Sequence, residues 1–157
     1  MGYSRLQIAL HWIVAFLIFG AFFTHDGMGR ALRQRIEQDL SGLEGATLHT
    51  ILGGAALLFI LIRIAVRLIR GAPDPHGPPM VQLAAKWGHR LLYALMIAAP
   101  ALGAATWYGK SEGLGEVHEI VGQALVLLAV GHLLVALLHQ ALWADGTLAR
   151  MFRPGRE

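Results

Sequence analysis

Residues 116–143 read EVHEIVGQALVLLAVGHLLVALLHQALW, and this stretch decides the fold of the chain. From Ile120 onward it carries no charged side chain, over a length that crosses a bilayer as a helix. His118, His132 and His139 recur at intervals of 14 and 7 residues, which are near-whole numbers of helical turns, so they share one helix face. At about 1.5 Å of rise per residue, His118 and His132 lie roughly 21 Å apart, near opposite surfaces of an apolar layer about 30 Å thick. Two stacked metal centres would need ligands at these depths.

The composition places the chain among membrane proteins. Its 157 residues are 55% hydrophobic and only 15% charged, which is too apolar for a soluble domain of this size. Charge-free runs of spanning length occur at residues 6–24, 46–62, 91–108 and 120–144. We therefore predict an all-α integral membrane four-helix bundle, a single domain over residues 1–157 with helices at about 4–24, 44–69, 81–107 and 116–143. The first helix lacks a cleavage site and should be retained, and residues 28–40 favour a short interfacial helix.

The net charge of +3 is unevenly placed along the chain. Basic residues concentrate at the N-terminus, the second connection and the C-terminus, so the positive-inside rule predicts that both termini are cytoplasmic. The opposite side is net acidic, and the basic balance therefore indicates membrane orientation and gives no case for nucleic-acid binding. The chain contains no cysteine, which excludes disulfides, cysteine-ligated iron–sulfur clusters and covalently attached haem.

Four histidines pair by depth across the predicted bundle. His11 and His132 lie near the inner surface, whereas His49 and His118 lie near the outer one. Polar side chains inside a membrane are costly, so each calls for an explanation. Each pair can place two imidazole nitrogens on opposite faces of one haem iron.

Neighbouring residues suit a flat macrocycle. Gly53 and Gly122 each follow an outer histidine by four residues and so lie one turn along on the same face. Tight helix packing is the equally weighted alternative for both glycines. Arg63 follows His49 by 14 residues, at the depth of the inner pair, where it can bind a haem propionate or stabilise a partly reduced quinone. Its alternative is to extend toward the headgroups.

The remaining polar residues near the inner surface suggest a quinone site. His89, His139 and Trp12 can supply hydrogen-bond donors and protons to a quinone carbonyl, although all three can also be plain interfacial anchors. His25 shares the His11 face but lies where the chain is already turning, so we interpret it as a loop residue and only a rival ligand. His76, in a Pro/Gly-rich turn, is interpreted as a plain loop histidine.

The chain resembles the bacterial cytochrome b561 family, four-helix membrane cytochromes with two haems that also include membrane subunits of some hydrogenases and formate dehydrogenases. The resemblance covers nearly the whole chain. It is most specific in YSRLQIALHW (residues 3–12), in the spacing of His118 and His132, and in WADGTLARM (residues 143–151). It implies two non-covalent haem b groups with bis-histidine iron, the outer held by His49/His118 and the inner by His11/His132.

The opening and closing strings are most similar to stand-alone family members, which include a superoxide:ubiquinone oxidoreductase. This resemblance implies a multi-pass enzyme of the bacterial inner membrane, in contact with lipid, that oxidises superoxide at the outer haem and reduces ubiquinone to ubiquinol at the inner side. It does not assign a catalytic residue.

Two other functions compete with this one. A subunit that passes electrons from a partner hydrogenase or dehydrogenase to quinone would use the same haems. The net acidic outer surface would steer superoxide poorly unless Lys110 and the basic cluster 30–35 line the haem entrance. A histidine-lined metal transporter predicts acidic residues inside the spans, and the four apolar runs contain none.

Overall fold

The computed structural model describes residues 2–73, 78–143, 146 and 148–155. Within these residues the chain is helical, and its elements in order are α1 Arg5–Phe23, α2 Met28–Glu37, α3 Leu48–Arg70, α4 Pro79–Gly109, α5 Glu112–Trp143 and a 3-10 turn at Ala149–Met151. Four of the described helices, α1, α3, α4 and α5, are long and apolar enough to cross a membrane. The predicted all-α membrane bundle is confirmed, and α2 is the predicted short connecting helix.

Capping residues set where the spanning helices begin. Ser4 and Gln7 form a reciprocal capping box ahead of α1, as the position of Ser4 predicts. Thr47 does the same ahead of α3, so this helix begins at Leu48 and not near residue 44. The Ser111 hydroxyl accepts from the Leu114 backbone at 3.3 Å, and α5 begins four residues before the predicted residue 116. The third span also runs longer than its predicted 81–107.

The spanning helices pack as two close pairs, α1 with α3 and α4 with α5, and the pairs join mainly through α3 and α4. The core between them is formed by Val14, Ile60, Met96 and Leu125 with their neighbours. Many large apolar side chains point outward instead, among them Phe16 with an exposed fraction of 75%. A wide apolar exterior suits lipid chains, because a helix in a membrane needs no hydrophobic burial against protein to satisfy its side chains.

Both chain termini lie at one end of the bundle, which we call the termini end. The Gly155 backbone donates to the carbonyl of Tyr3 at 3.1 Å, and the Trp12 indole donates to the carbonyl of Met151 at 2.9 Å. Gln7 ties this end to α3 by donating to the carbonyl of Gly71 at 2.8 Å. His76 and much of the predicted Pro/Gly turn, together with three residues of the 143–151 string, lie outside the described residues.

The opposite end, which we call the α2 end, is held together by Arg35. This guanidinium is 1% exposed and donates to the carbonyls of Trp107 at 2.9 Å, Glu44 at 2.7 Å and Gly42 at 3.1 Å. It also lies 4.6 Å from the centroid of the Trp107 ring, a cation–π distance. Arg35 therefore ties α2 and the connection that follows it to the end of α4.

Candidate cofactor sites

At the α2 end, two of the predicted ligands face each other. The ring centroids of His49 on α3 and His118 on α5 are 5.8 Å apart, with the ring planes at 71°. Metal–imidazole bonds of about 2.0 Å would place two opposed ring centroids roughly 6 Å apart. The spacing of the two imidazoles therefore fits a single metal ion held between them.

Backbone carbonyls fix the tautomer of both rings. The Nδ1 of His49 lies 2.8 Å from the carbonyl oxygen of Ala21, and the Nδ1 of His118 lies 2.8 Å from that of Ala99. A carbonyl oxygen only accepts, so each Nδ1 carries the hydrogen and each Nε2 keeps its lone pair. Ligating histidines typically hold their second nitrogen in this way, because the contact orients the ring and raises its basicity.

A cavity of about 620 Å³ opens beside these rings and is lined by both of them. Its volume lies within the range of about 300–1,000 Å³ that is usual for cofactor pockets. A Cβ atom built on Gly53 or Gly122, both in the cavity wall, would meet no described atom within 4 Å. Tight helix packing therefore does not account for these glycines within the described part of the chain, and the cavity has the room that a flat macrocycle needs.

Gly103 on α4 is a further residue of this site, and sequence reasoning missed it. A Cβ atom there would come within 3.0 Å of Cε1 and 3.3 Å of Nδ1 of His118. The imidazole thus rests directly on the α4 backbone, where only glycine leaves room for it. A glycine inside an apolar run was the only signal in the sequence, and several other glycines share it.

A second group of imidazoles lies toward the termini end. His89 on α4 and His132 on α5 have ring centroids 5.1 Å apart at 74°, and the Nδ1 of His89 lies 2.7 Å from the carbonyl of Ala85. His11 on α1 lies within electrostatic range of both rings. The structure therefore brings three predicted site histidines together, and the group contains both predicted inner ligands.

Arg63 on α3 contacts this group, as its predicted depth requires. Its guanidinium lies 3.1 Å from Nδ1 of His11 and 3.5 Å from the carbonyl of Gln7. A guanidinium only donates, so the Nδ1 of His11 accepts and a neutral ring carries its hydrogen on Nε2. His11 is therefore arranged differently from His49, His118 and His89, whose Nδ1 atoms donate.

The other predicted site residues are Trp12, His139 and His25, of which His25 lines the cavity beside His49 and His118. Trp12 packs its ring 5.0 Å from Phe152 and 5.3 Å from His11, and its indole N–H is used by the Met151 carbonyl. His139 is half-buried on α5, two turns beyond His132 toward the termini end. His25 is an exposed residue of the connection between α1 and α2, 3.8 Å from Asp26, which confirms its interpretation as a loop residue.

The mouth of the α2-end cavity is acidic. Its described lining contains a single guanidinium, that of Arg33, which pairs with a carboxylate at 3.3 Å. The carboxylates in the lining belong to Asp26, Glu112, Glu116 and Glu119. An anion that approaches the cavity by this route therefore meets a net negative surface.

The predicted basic cluster does not reverse this charge. Arg35 is buried with its donors on backbone carbonyls, so it does not line the entrance. Lys110 does not line the cavity and forms an ion pair with Asp39. The sequence could not show this, because a buried and an exposed arginine look alike on an amphipathic helix.

Comparison with known proteins identifies the family. Residues 2–154 match the family described as prokaryotic cytochrome b561. The chain is 38% identical to cytochrome b562 of Cereibacter sphaeroides over 98% of this chain and 96% of that protein. It is 28% identical to a Yersinia pestis protein named "Probable superoxide oxidase CybB" (95% of this chain, 94% of that protein) and 26% identical to cytochrome b561 homolog 2 of Escherichia coli (95% and 90%). No solved structure matches the chain. The chain therefore belongs to the prokaryotic cytochrome b561 family.

Proposed function

We propose that this chain is a di-haem cytochrome that oxidises superoxide to dioxygen at one membrane face and reduces ubiquinone to ubiquinol at the other. Family membership gives the coarser part, which is electron transfer by haem b in a multi-pass membrane protein. One observation supports the haem site on which the finer part depends. His49 and His118 face each other beside a cavity of about 620 Å³, each with its Nδ1 hydrogen committed to a backbone carbonyl.

The haem b groups would supply a reversible one-electron change at iron. His49 and His118 hold one group at the α2 end, and Gly53 and Gly122 leave space for its plane. His11 and His132 would hold the other, which requires the His11 hydrogen to move from Nε2 to Nδ1 and the Arg63 guanidinium to turn away from Nδ1. Arg63, which lies beside His11, would bind a propionate or stabilise a partly reduced quinone.

Ubiquinone reduction takes two electrons and two protons, so two superoxide anions give two molecules of dioxygen and one ubiquinol. We assign the quinone contact to His89 and His139, with Trp12 beside them. His89 can exchange a proton through Nε2, because its Nδ1 stays on the carbonyl of Ala85. The Trp12 indole can reach a quinone carbonyl only by leaving the carbonyl of Met151.

The experiment that tests the ligand assignment is haem quantification and an absorption spectrum on single alanine variants of five histidines. We expect His49→Ala and His118→Ala to lose the same haem, and His11→Ala and His132→Ala to lose the other. His89→Ala should keep both haems and lower the rate of quinone reduction. Loss of the second haem in His89→Ala with retention in His11→Ala would refute the assignment, and a colourless wild-type protein would refute the function.

A second function is favoured by the acidic mouth of the α2-end cavity. Four carboxylates against one paired guanidinium would attract a cationic partner protein more readily than superoxide. The same haems would then pass electrons from that partner to quinone. The relative named as a superoxide oxidase supports the first function instead.

Purified protein distinguishes the two donors. If superoxide is the donor, it reduces the haems without another polypeptide, and the rate rises with ionic strength because salt screens the repulsion at the mouth. Neutralising Glu116 and Glu119 together (E116Q/E119Q) should raise the rate at low salt and weaken this dependence, because Asp26 and Glu112 remain. Haems that stay oxidised in a superoxide flux would favour a protein donor.

We also propose that both termini are cytoplasmic and that the α2 end faces the periplasm. The native chain has no cysteine, so a single cysteine introduced at Ser41 or near the C-terminus reports its own side. A membrane-impermeant thiol reagent added to intact spheroplasts should label the Ser41→Cys protein only. Labelling of the C-terminal cysteine alone would reverse the orientation.

A further inference from the structure

Two neighbouring side chains near the α2 end of α4 are buried with polar atoms that have no hydrogen-bond partner. Thr106 is 8% exposed and Trp107 is 4% exposed. The hydroxyl oxygen of Thr106 and the indole Nε1 of Trp107 find no partner among the described residues. Unpaired buried donors are rare in folded proteins because losing water without a replacement partner costs stability. Such a pair indicates that something else in the assembled protein accepts these hydrogens.

Both residues line the cavity beside which His49 and His118 face each other. An indole N–H is only a donor, so the missing partner of Trp107 has to be an acceptor. A threonine hydroxyl can donate to the same acceptor. Neither atom has accessible surface here, so a partner that presents acceptor oxygen atoms from the cavity would reach them after a small rotation of these two side chains.

The charge next to the two donors indicates that the acceptor is anionic. The Arg35 guanidinium lies 4.6 Å from the Trp107 ring centroid and bonds the carbonyl of the same residue. Arg35 is a buried cation, and its described hydrogen-bond partners are backbone carbonyls with no carboxylate among them. Its charge therefore stabilises a negatively charged group nearby. The carboxylates at the mouth of the cavity are exposed residues and leave these buried donors unmatched.

We propose that Trp107 and Thr106 bind a propionate carboxylate of the haem that occupies this cavity. The inference rests on the proposed function, because it assumes that His49 and His118 hold that haem. A haem propionate is the anionic oxygen group that the cofactor itself would bring into the cavity, and it is long enough to extend beyond the macrocycle edge. Trp107 and Thr106 act here as positioning residues that fix the rotation of the macrocycle about the iron–imidazole axis.

The test compares haem with haem dimethyl ester, which lacks the carboxylates. Full-length protein from haem-limited cells is titrated with each compound and compared with Trp107→Phe, which keeps an aromatic ring under Arg35, and with Thr106→Val. Hydrogen bonds to charged groups are worth about tenfold or more in a binding constant. We expect Trp107→Phe to weaken haem binding about tenfold and to leave binding of the dimethyl ester within about twofold of wild type. Trp87→Phe is the matched control, since Trp87 is an exposed residue of the same helix with Arg90 4.8 Å from its ring centroid.

A redox titration supplies a second readout. Loss of a hydrogen-bond donor leaves more negative charge on the propionate. Trp107→Phe should therefore lower the midpoint potential of the haem proposed between His49 and His118, which His49→Ala identifies by losing it. The midpoint potential of the other haem should not change. Equal weakening of haem and dimethyl ester would overturn the inference, and so would an unchanged potential. A midpoint potential that formate shifts in wild-type protein and not in Trp107→Phe would assign the donors to a free anion and overturn the propionate assignment.

The wild-type titration separates this inference from the function on which it rests. Wild-type protein that binds no haem refutes the function, whereas a Trp107→Phe protein that behaves as wild type refutes only the inference. If Trp107→Phe does not accumulate as folded protein, Thr106→Val in the same titrations decides the question, because it removes a hydroxyl with little change in shape.

Discussion

The imidazole of His118 rests against the α4 backbone at Gly103, so the Gly103→Ala substitution should displace this proposed iron ligand without adding any polar or charged group. The new Cβ atom would lie 3.0 Å from Cε1, 3.3 Å from Nδ1 and 3.4 Å from Nε2 of that ring. Ordinary contacts between carbon atoms are about 3.5–4.0 Å, so the ring has to retreat by a few tenths of an ångström. This retreat takes the ring away from the α4 backbone at Gly103.

The cost follows from the contacts that this retreat disturbs. The Nδ1 hydrogen bond to the carbonyl of Ala99, now 2.8 Å, lengthens or breaks, and such a bond contributes about 0.5–1.5 kcal/mol. An off-rotamer side chain adds about 0.5–1.5 kcal/mol. Together these terms predict that haem affinity at this site falls by roughly 1–3 kcal/mol, which is about 5-fold to 150-fold.

The assay is haem content per polypeptide during titration with limiting haem, read from the Soret absorbance. We expect Gly103→Ala to lose the haem that depends on His49 and to keep the haem that depends on His132. Gly109→Ala is the matched control, because Gly109 lies on the same helix and a Cβ atom there meets no described atom within 4 Å. Equal loss of both haems, or full occupancy by both with wild-type affinity, would refute the reasoning.

Three shorter predictions concern the α2 end. Arg35→Lys leaves buried carbonyls without a hydrogen-bond donor, so it should lower the free energy of unfolding in detergent by about 3 kcal/mol. Arg33→Lys is the control: it alters an exposed ion pair and should change the free energy of unfolding by less than about 1 kcal/mol. A hydrogen bond from Lys110, and secondly the charge of Lys110, hold the pKa of Asp39 below its usual value. The stability that this pair adds is therefore complete above the ordinary carboxyl pKa, and it is lost as the pH falls through the lowered pKa of Asp39. The melting temperatures of wild type and Asp39→Asn should therefore differ at neutral pH and converge in acid. A Cβ atom at Gly53 meets no described atom within 4 Å, so the side chain of Gly53→Leu should extend into the cavity. We expect this variant to lose binding of one haem while circular dichroism shows an intact helical fold.

The sequence predicted the spans and the depth of the histidines because both follow from repeating geometry. A charge-free run of spanning length leaves little choice but a membrane helix, and a 14-residue interval keeps two side chains on one helix face. His49 and His118 therefore meet as predicted. The helix starts were less accurate, since the hydroxyl caps at Thr47 and Ser111 set them locally and an apolar pattern does not register a cap.

The surroundings of the histidines could not be read from the sequence. The Nδ1 partners of His49 and His118 are backbone carbonyls, which every residue possesses, so no residue type marks Ala21 or Ala99 as an acceptor. Arg35 has the sequence pattern of a solvated face, yet it is buried because several carbonyls of the connecting loop converge on it. Both effects depend on tertiary contacts between segments that lie far apart in the chain.

The pairing of helices bears on which histidine joins His132. At the α2 end each ring is oriented within its own close pair, since His49 on α3 bonds α1 and His118 on α5 bonds α4. The two rings then face each other across the boundary between the pairs, beside the cavity. His89 and His132 instead belong to the same close pair, and their centroids, 5.1 Å apart, are nearer than the roughly 6 Å that an iron between two imidazoles requires. If the ligand sets span the two pairs at both ends, His132 would join His11 on α1, and His89 would be available to the proposed quinone.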